Sequence, residues 1–445
     1  MKRIINAVIS IIFLLSCLST GAMHKNQHSK ELTTLSIKEL MNIPLDVNYT
    51  KERIFQSDIN PVSESSVNFG ILAPISSFPI YSAEIIAAAD LAAEHINNHG
   101  GINGQRLAII RADDQENTHV SADLADILVK RHNVKAIVGP ATSDSVADVL
   151  ERVAIPKNIP LITQAASAMK LSDIGGKHLF WRMVANNQQQ IDLIFNYLYT
   201  KEQHKKIFII GGRDIYSKEI IHGLKVHYGN TKNAQSDHLA ISKLVYLDGM
   251  NLEDEIRAIQ SKNVTAIVLT LPTDQMLAII KKIRRYWQGS FPLILAADTV
   301  KPKYIIDANL GEISHCILTY VSSPTELSPD LRDRVIALLN RDSAGFDAAY
   351  VYDAIILFSM AKALSDKFDL DFKKTMLRLT SNGYPISHFD YPDIVALYKK
   401  YGSFKYSGYS GRINFNNQGD NLTANMKIYP ISQKEHKNYP CMEKQ

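Results

Sequence analysis

The chain has 445 residues, of which 46% are hydrophobic and 21% charged. At roughly 100–200 residues per domain, this length predicts two or three domains. Its 49 basic and 45 acidic residues give a net charge of +4, which excludes the strongly basic surface of a nucleic-acid-binding protein. Three cysteines, at positions 17, 316 and 441, are too few for a disulfide-rich scaffold, and no pair has zinc-site spacing.

Residues 1–22 have the pattern of an export signal. Two basic residues precede an apolar run from Ile4 to Leu15, which is too short for a comfortable membrane span. The sequence LLSC that follows resembles a bacterial lipobox and predicts lipidation of Cys17 and a membrane tether that does not cross the bilayer. Ordinary cleavage after Ala22 is the alternative. Either way, we expect the mature protein in the periplasm, membrane-anchored in the first case.

Residues 23–65 are polar and lack the alternation of a strand, so they predict a tether. Within it, the segment Leu32 to Leu45 has the spacing of a short amphipathic helix.

From Val67 onward, short apolar strands alternate with helices. Helices are predicted over Ser82–Asn98, Thr118–Arg131 and Ser143–Val153, and the first run of strands reads VNFGILAP, LAIIRADD, KAIVGP and PLITQA. A second run reads KIFIIGG, LVYL, VTAIVLTL and PLILAAD. This alternation is typical of parallel sheets covered on both faces. Two runs predict an α/β fold of two doubly wound lobes, with a ligand cleft at the carboxyl ends of the strands.

The apolar stretch from Ala348 to Leu364 is interrupted by Asp353 and Lys362, so it predicts a buried helix rather than a membrane span.

Several motifs occur in an order that resembles the leucine/isoleucine/valine-binding protein family, the type I periplasmic solute-binding proteins. They read GILAPIS, HGGINGQRLAIIRADDQ, KAIVGPATSDSV, NIPLITQAASA, AYVYDAI and SGYSGRINFNNQGD, between Val67 and Ile428. The resemblance implies three crossovers between the lobes, which we place near Ala185, Val321 and Asp390. Lobe 1 would then comprise 66–185 and 322–390, lobe 2 would comprise 186–321 and 391–430, and 431–445 would be a tail.

The resemblance also implies ligand-binding residues in the first lobe. Ser143 matches the family's carboxylate-binding serine, at a predicted helix start where free N–H groups favour anions. Its alternative role is that of a plain helix N-cap. Ala165 and Ser167 match the next loop, which faces the amino and carboxyl groups of the ligand. Gln164 stands where many relatives have a small residue.

In the second lobe, Tyr216 matches an aromatic residue that closes over the ligand, with packing at a helix start as the alternative. Asp298 matches the acid that binds the ligand's ammonium group, and its alternative is an N-cap for a helix near Lys301.

Pro272 and Thr273 depart from the glycine and aromatic residue found in amino-acid-binding members. Trp181 and Tyr352 could line the cleft, although buried aromatic residues more often belong to the core.

Enzymatic, cofactor and metal sites are not predicted. His95 and His99 lie four residues apart, but Ile96 follows His95 where a zinc hydrolase needs Glu. Asp113 and Asp114 are interpreted as turn and cap residues. No phosphate-binding glycine loop or nucleophile elbow follows a strand.

The sequence therefore predicts an exported protein that captures an amino acid or amide and delivers it to the membrane permease of an ABC transporter. The alternative is a sensor or regulatory lipoprotein of the same fold that acts on an envelope receptor. Cys316 and Cys441 could pair in an oxidising compartment, although Cys441 lies in the predicted tail.

Overall fold

The computed structural model describes residues 53–57, 60–202, 204, 206–230, 243–244, 252–299, 302–322, 328–340, 345, 347–431 and 441. The predicted signal peptide, Cys17 and the segment Leu32 to Leu45 lie outside the described residues.

Residues 54–182 build a six-stranded sheet. Its elements are β1 (Ile54–Gln56), β2 (Val67–Ala73), α1 (Pro79–Asn98), β3 (Leu107–Asp113), α2 (Thr118–His132), β4 (Val134–Val138), α3 (Ser143–Val149, continued by a π-helical turn Leu150–Ala154), β5 (Leu161–Thr163), α4 (Lys170–Gly175) and β6 (Phe180–Arg182). The strand order is β1-β3-β2-β4-β5-β6. All neighbours are parallel except β1, which runs antiparallel to β3.

A second six-stranded sheet follows. Its elements are α5 (Asn187–Phe195, continued by a π-helical segment Asn196–Lys201), β7 (Ile207–Gly211), α6 (Ile215–Gly229), β8 (Lys243–Leu244), α7 (Leu252–Gln260), β9 (Ala266–Thr270), α8 (Thr273–Tyr286), β10 (Leu293–Ala296), α9 (Pro302–Asp307), a 3₁₀ turn (Gly311–Cys316) and β11 (Ile317–Ser322). The order is β15-β11-β10-β9-β7-β8, with the late strand β15 (Met426–Pro430) antiparallel to β11 and all other pairs parallel.

The remaining elements are α10 (Pro329–Leu339), α11 (Asp347–Phe368), α12 (Phe372–Leu379), β12 (Tyr384–Ile386), a 3₁₀ turn (His388–Asp393), α13 (Ile394–Tyr401), β13 (Phe404–Gly408) and β14 (Gly411–Arg412). Helix α11 packs against α1 on the first sheet, and β12, β13 and β14 form a small separate sheet. Among the described helices, α11 alone is long and apolar enough to cross a membrane, and most of it is buried within the protein.

The predicted α/β fold with two doubly wound lobes is confirmed. Hydrophobic clusters cover both faces of each sheet, as parallel sheets require. The first predicted helix begins at Pro79 rather than Ser82, because proline is well suited to the first helical turn, where no N–H bond is lost. Strand β1 was missed, since three residues are too few to show an alternating pattern.

The third crossover between the lobes lies later in the chain than Asp390, near which the family resemblance placed it. Phe404, Tyr406 and Phe415 belong to the same core as α1 and α11, and the chain reaches the second sheet only at Met426. A buried carboxylate explains this placement. Asp353 in α11 accepts hydrogen bonds from the Tyr406 hydroxyl at 2.9 Å and from the backbone N–H groups of Tyr409 and Ser410. A buried charge needs such donors, and the 404–412 hairpin supplies them.

Cys316 and Cys441 form a disulfide, with their Cα atoms 5.5 Å apart. The pairing that the sequence left open thus attaches a residue near the C-terminus to the start of β11.

We expect Cys441→Ser to lower the free energy of unfolding by about 2–5 kcal/mol, because the bond closes a long loop in the unfolded chain. The bonded cysteines are separated by 125 positions. Urea denaturation with and without reductant measures the effect. The unsubstituted protein should become less stable on reduction while Cys441→Ser does not respond, and equal stability of the two proteins without reductant would contradict the prediction.

His388 is 4% exposed, and neither ring nitrogen has a hydrogen-bond partner among the described residues. Its ring packs against Phe389 and Tyr409, with centroid distances of 4.0 and 4.3 Å. Burial, followed by the charge of nearby His95, lowers the pKa of His388 to about 4. The folded protein therefore resists protonation of this ring.

A histidine whose pKa is lower in the folded state takes up protons on unfolding, so its contribution to stability is lost as the pH falls from about 6.5 towards 4. We expect His388→Phe to lose less unfolding free energy than the unsubstituted protein between pH 7 and pH 5. The difference should approach about 1 kcal/mol per pH unit. Burial raises the pKa of Asp114 and of Asp353 to about 6, but both proteins contain these acids, so the comparison isolates His388. The same substitution at the exposed His222 is the control, and identical pH profiles at both sites would refute the prediction.

Candidate functional site

Each sheet has one point at which the strand order reverses, between β2 and β4 in the first and between β7 and β9 in the second. Chain segments that follow these strands line one cavity of about 420 Å³. They include Pro74 after β2, Thr142 after β4, Asp214 after β7 and Pro272 after β9. Ligands of doubly wound sheets bind at such reversals, outside the carboxyl ends of the strands. The cavity therefore lies where each of the two sheets is expected to bind a ligand.

The structure brings all five predicted site residues together. Ser143, Ala165, Ser167, Tyr216 and Asp298 all line this cavity, three from the first lobe and two from the second.

Two glycines allow the strand ends to come close. Gly139, directly after β4, has a φ of +91°, and a Cβ atom there would lie 2.2 Å from the Leu72 carbonyl oxygen. Gly211, at the end of β7, would place a Cβ atom 2.3 Å from Thr270 Oγ1. A side chain at Gly139 would push β4 away from β2, and one at Gly211 would push β7 away from β9.

Ser143 is the first residue of α3, and the N-cap is Thr142, whose Oγ1 accepts the Ser145 N–H. The alternative role of Ser143 as a plain N-cap is therefore wrong. Its buried Oγ accepts the Ala168 N–H at 3.2 Å, which leaves the hydroxyl proton available for an acceptor in the cavity.

Side chains and backbone groups from several elements immobilise the loop after β5. Thr163 Oγ1 accepts the N–H groups of Ala165 and Ala166, and the Asn187 N–H binds the Ser167 carbonyl at 2.8 Å. Arg182, which is fully buried, donates to the Ala168 carbonyl at 2.8 Å. Ser167 is thus presented to the cavity by a loop with little freedom.

Arg182 keeps its charge in this buried position because a carboxylate faces it. Its Nε lies 2.8 Å from Asp420 Oδ1, and its Nη2 donates to Ser172 Oγ at 2.7 Å. Burial lowers the pKa of Arg182, while the charge of Asp420 opposes that shift. The ion pair also fastens the chain before β15 to the first lobe.

Tyr216 and Asp298 belong to one hydrogen-bonded group in the second lobe. The Tyr216 hydroxyl lies 3.0 Å from Asp298 Oδ1, 3.0 Å from Gln190 Oε1 and 2.9 Å from the Tyr320 hydroxyl. Gln190 donates to the other oxygen of Asp298. Burial, then the charge of Asp298, raises the pKa of Tyr216 well above its usual value, so this hydroxyl remains protonated.

The N-cap alternative for Asp298 is wrong as well. Helix α9 begins at Pro302, four residues after Asp298, so Asp298 does not directly precede the helix. Asp298 instead accepts bonds from Tyr216 and Gln190 and faces the cavity.

The loop that departs from the family pattern also reaches the cavity. Thr273 Oγ1 donates to the Thr299 carbonyl at 2.9 Å, and Thr299 Oγ1 donates to the Leu271 carbonyl at 2.7 Å. These reciprocal bonds hold the loops after β9 and β10 together. Thr270, Leu271, Pro272 and Thr273 all line the cavity, so the departure alters its wall directly.

Hydrogen bonds cross from one lobe to the other beside the cavity. Asp144 Oδ2 accepts the Ile215 N–H at 3.0 Å. The carboxylate of Glu219 on α6 accepts the N–H groups of Met169 and Lys170 at 2.7 and 2.9 Å. The structure therefore has the two lobes in contact around the cavity.

Other lining residues were missed by the sequence reasoning. Among them are seven aromatic or acidic residues: Phe78, Tyr81, Glu116, Asp144, Asp214, Asp347 and Tyr350. Most of them follow a predicted strand or lie at a helix start, which is the signal that could have found them. Gln164 is not among the lining residues, but its side-chain amide donates a hydrogen bond to the hydroxyl of the lining residue Tyr81 at 3.1 Å.

The remaining candidates lie elsewhere. Trp181 and Tyr352 are fully buried in the first-lobe core. Asp113 and Asp114 accept backbone N–H groups of the turn after β3, as predicted. His99 binds the carbonyl of His95, and the described residues contain no group of three side chains suited to a metal ion.

The family of the chain follows from a direct match. Residues 66–297, more than half of the chain, match the family model described as periplasmic binding protein. The chain belongs to this family, and the family implies a location outside the cytoplasmic membrane.

Individual relatives are more distant. A Leu/Ile/Val-binding protein, BraC3, from Rhizobium johnstonii is 25% identical over 167 residues, which covers 37% of this chain and 44% of that protein. A chemotactic signal transduction system substrate-binding protein, BasB, from Halobacterium salinarum is 30% identical over 130 residues, covering 28% of this chain and 31% of that protein. The chain thus spans less than half the length of either curated relative.

Solved structures show the same fold. The branched-chain amino acid transporter substrate-binding protein LivJ from Streptococcus pneumoniae, in complex with isoleucine, matches with a TM-score of 0.62 at 19% identity. The match covers 82% of this chain and 95% of that protein.

Proposed function

We propose that the protein is an exported solute-binding protein that captures an amino acid or amide between its lobes for uptake by an ABC transporter. The observation that carries this proposal is the convergence of Ser143, Ala165, Ser167, Tyr216 and Asp298 on one cavity at the switch points of both sheets.

The two sides of the cavity suit the two ends of a zwitterion. On the first lobe, the hydroxyls of Ser143 and Ser167 and the start of α3 offer donors to a carboxylate. On the second lobe, Asp298 offers an acceptor to an ammonium group, and charge-assisted bonds of this kind are strong. The hydroxyl of Tyr216 donates a hydrogen bond to one oxygen of Asp298.

Capture would shift an equilibrium between open and closed lobes. The bonds of Asp144 and Glu219 across the lobes form only when the lobes meet, so they would stabilise the closed form. The closed form would then dock on a membrane permease. The lipobox-like sequence at Cys17 supports a lipid anchor that keeps the protein close to this partner.

We expect Ser143→Ala and Asp298→Ala each to weaken binding of a zwitterionic ligand by about 1–3 kcal/mol, because each removes a hydrogen bond to a charged group. Calorimetry across amino acids, amides and small carboxylates measures the affinities. Asp298→Asn is the matched variant, since it keeps the size of the side chain but loses its charge. Unchanged affinity in all three variants would reject this assignment of the site.

We expect Cys17→Ser to move the exported protein from the membrane fraction to the soluble periplasmic fraction, because the thioether-linked lipids would be absent. Immunoblotting of cell fractions measures this, and mass spectrometry of the mature N-terminus identifies the modification. Asp333→Asn, at an exposed carboxylate on α10, is the control. A mature chain that begins after Ala22 would overturn the anchor.

A second candidate function is that of a sensor or regulatory lipoprotein of the envelope. The similarity to a chemotactic substrate-binding protein favours it. Cross-linking in intact cells separates the two candidates, since transport requires contact with a permease and sensing requires contact with a receptor.

A further inference from the structure

A side chain of the second lobe completes the start of a helix in the first. Helix α4 begins at Lys170, and its N-cap residue, Met169, makes no side-chain capping bond. The carboxylate of Glu219 on α6 accepts both of these backbone N–H groups instead, at 2.7 Å from Met169 and 2.9 Å from Lys170. The first N–H groups of a helix have no partner within the helix. Glu219 therefore supplies from the opposite lobe the acceptor that α4 lacks at its own start.

The same carboxylate contacts the connection between the lobes. Asn187, the first residue of α5, is fully buried and donates from Nδ2 to Glu219 Oε2 at 2.8 Å. The backbone N–H of Asn187 binds the Ser167 carbonyl at 2.8 Å. Glu219 is thus bonded to the chain on both sides of the first crossover.

The segment that Glu219 holds continues directly from the loop that faces the cavity. Ser167 lines the cavity, and Met169 comes two positions later. Between them, the Ala168 N–H binds the hydroxyl oxygen of Ser143, which is a second lining residue. Glu219 itself is not among the lining residues. It can therefore influence the ligand through this loop and not by direct contact.

Apolar side chains cross between the lobes next to Glu219. Met169 packs against the hydrophobic cluster of the second lobe. Ile215, one turn before Glu219 on α6, packs against a hydrophobic cluster of the first lobe. Each lobe thus buries one apolar side chain of the other, which stabilises the arrangement in which Glu219 reaches α4.

A buried cation lies within the electrostatic reach of Glu219. Burial lowers the pKa of Arg182, while the charges of Asp420 and then Glu219 oppose that shift. Arg182 donates to the Ala168 carbonyl at 2.8 Å, so it belongs to the same loop contacts. Because charges interact more strongly in a buried environment than in water, a second carboxylate from the opposite lobe stabilises this guanidinium when the lobes are together.

We propose that Glu219 is a positioning residue that couples closure of the lobes to the geometry of the ligand-binding loop. This inference rests on the proposed capture of a ligand between the lobes and names the residue through which closure acts. With the lobes apart, the N–H groups of Met169 and Lys170 would lose their acceptor, and the loop that carries Ser167 would lose an anchor. Ligand binding at Ser167 and capping by Glu219 therefore favour each other.

The first test is the Glu219→Gln variant of the full mature protein, which keeps the shape of the side chain but loses its charge. Calorimetry with L-leucine, L-isoleucine and L-glutamine measures the affinities. We expect every ligand that the unsubstituted protein binds to lose affinity by the same factor, about three- to tenfold, because charge-assisted bonds become neutral ones. In stopped-flow measurements, the dissociation rate should rise by this factor while the association rate stays unchanged. Glu312→Gln, at an exposed carboxylate of the same lobe, is the matched control.

The outcomes separate this inference from the proposed function. Equal affinities of Glu219→Gln and the unsubstituted protein would overturn the inference alone. A loss for one ligand but not for another would also overturn it, since a closure residue acts on all ligands equally. If the unsubstituted protein binds none of the amino acids, amides and small carboxylates, the proposed function fails and this inference fails with it.

The second test is hydrogen exchange of the backbone, followed by mass spectrometry with and without a bound ligand. In the unsubstituted protein, we expect the ligand to slow exchange in residues 165–170 by more than it does in Glu219→Gln. Unchanged exchange in β2 and β9 would show that the variant keeps its fold. The same ligand-induced protection of residues 165–170 in both proteins would refute the coupling.

Discussion

Parallel strand pairing is the constraint on which the rest of this structure depends. A parallel neighbour can be reached only through a crossover, so the crossover helices lie on the sheet faces and the carboxyl ends of the parallel strands meet at one edge. Where the strand order reverses, adjacent crossovers pass on opposite sides and leave a crevice. Both sheets have such a reversal, and the two crevices form one cavity.

The loops at that edge are rigid because their backbone groups are bonded before any ligand arrives. Thr163, Arg182 and Asn187 hold the loop that presents Ser167, while Gln190 and Tyr320 hold the hydroxyl that positions Asp298. A preorganised site loses little conformational entropy on binding.

Buried charged groups join parts of the chain that are far apart in sequence. Asp353 collects donors from the hairpin after α13, and Arg182 binds Asp420 just before β15. Each pairing decides which lobe a late segment packs against, because an unpaired buried charge would cost several kcal/mol. This explains why the third passage between the lobes falls at Met426 and not near Asp390.

The sequence by itself determined the two runs of strands and helices, the doubly wound fold, the family, and the five candidate residues, because these depend on local periodicity and on motifs within short segments. Only the tertiary structure decided that Thr142 rather than Ser143 caps α3, that Cys316 bonds to Cys441, and that Glu116, Asp214 and Asp347 join Asp298 around the cavity. These features depend on contacts between segments distant in sequence, and a local pattern contains no information about which segments will meet.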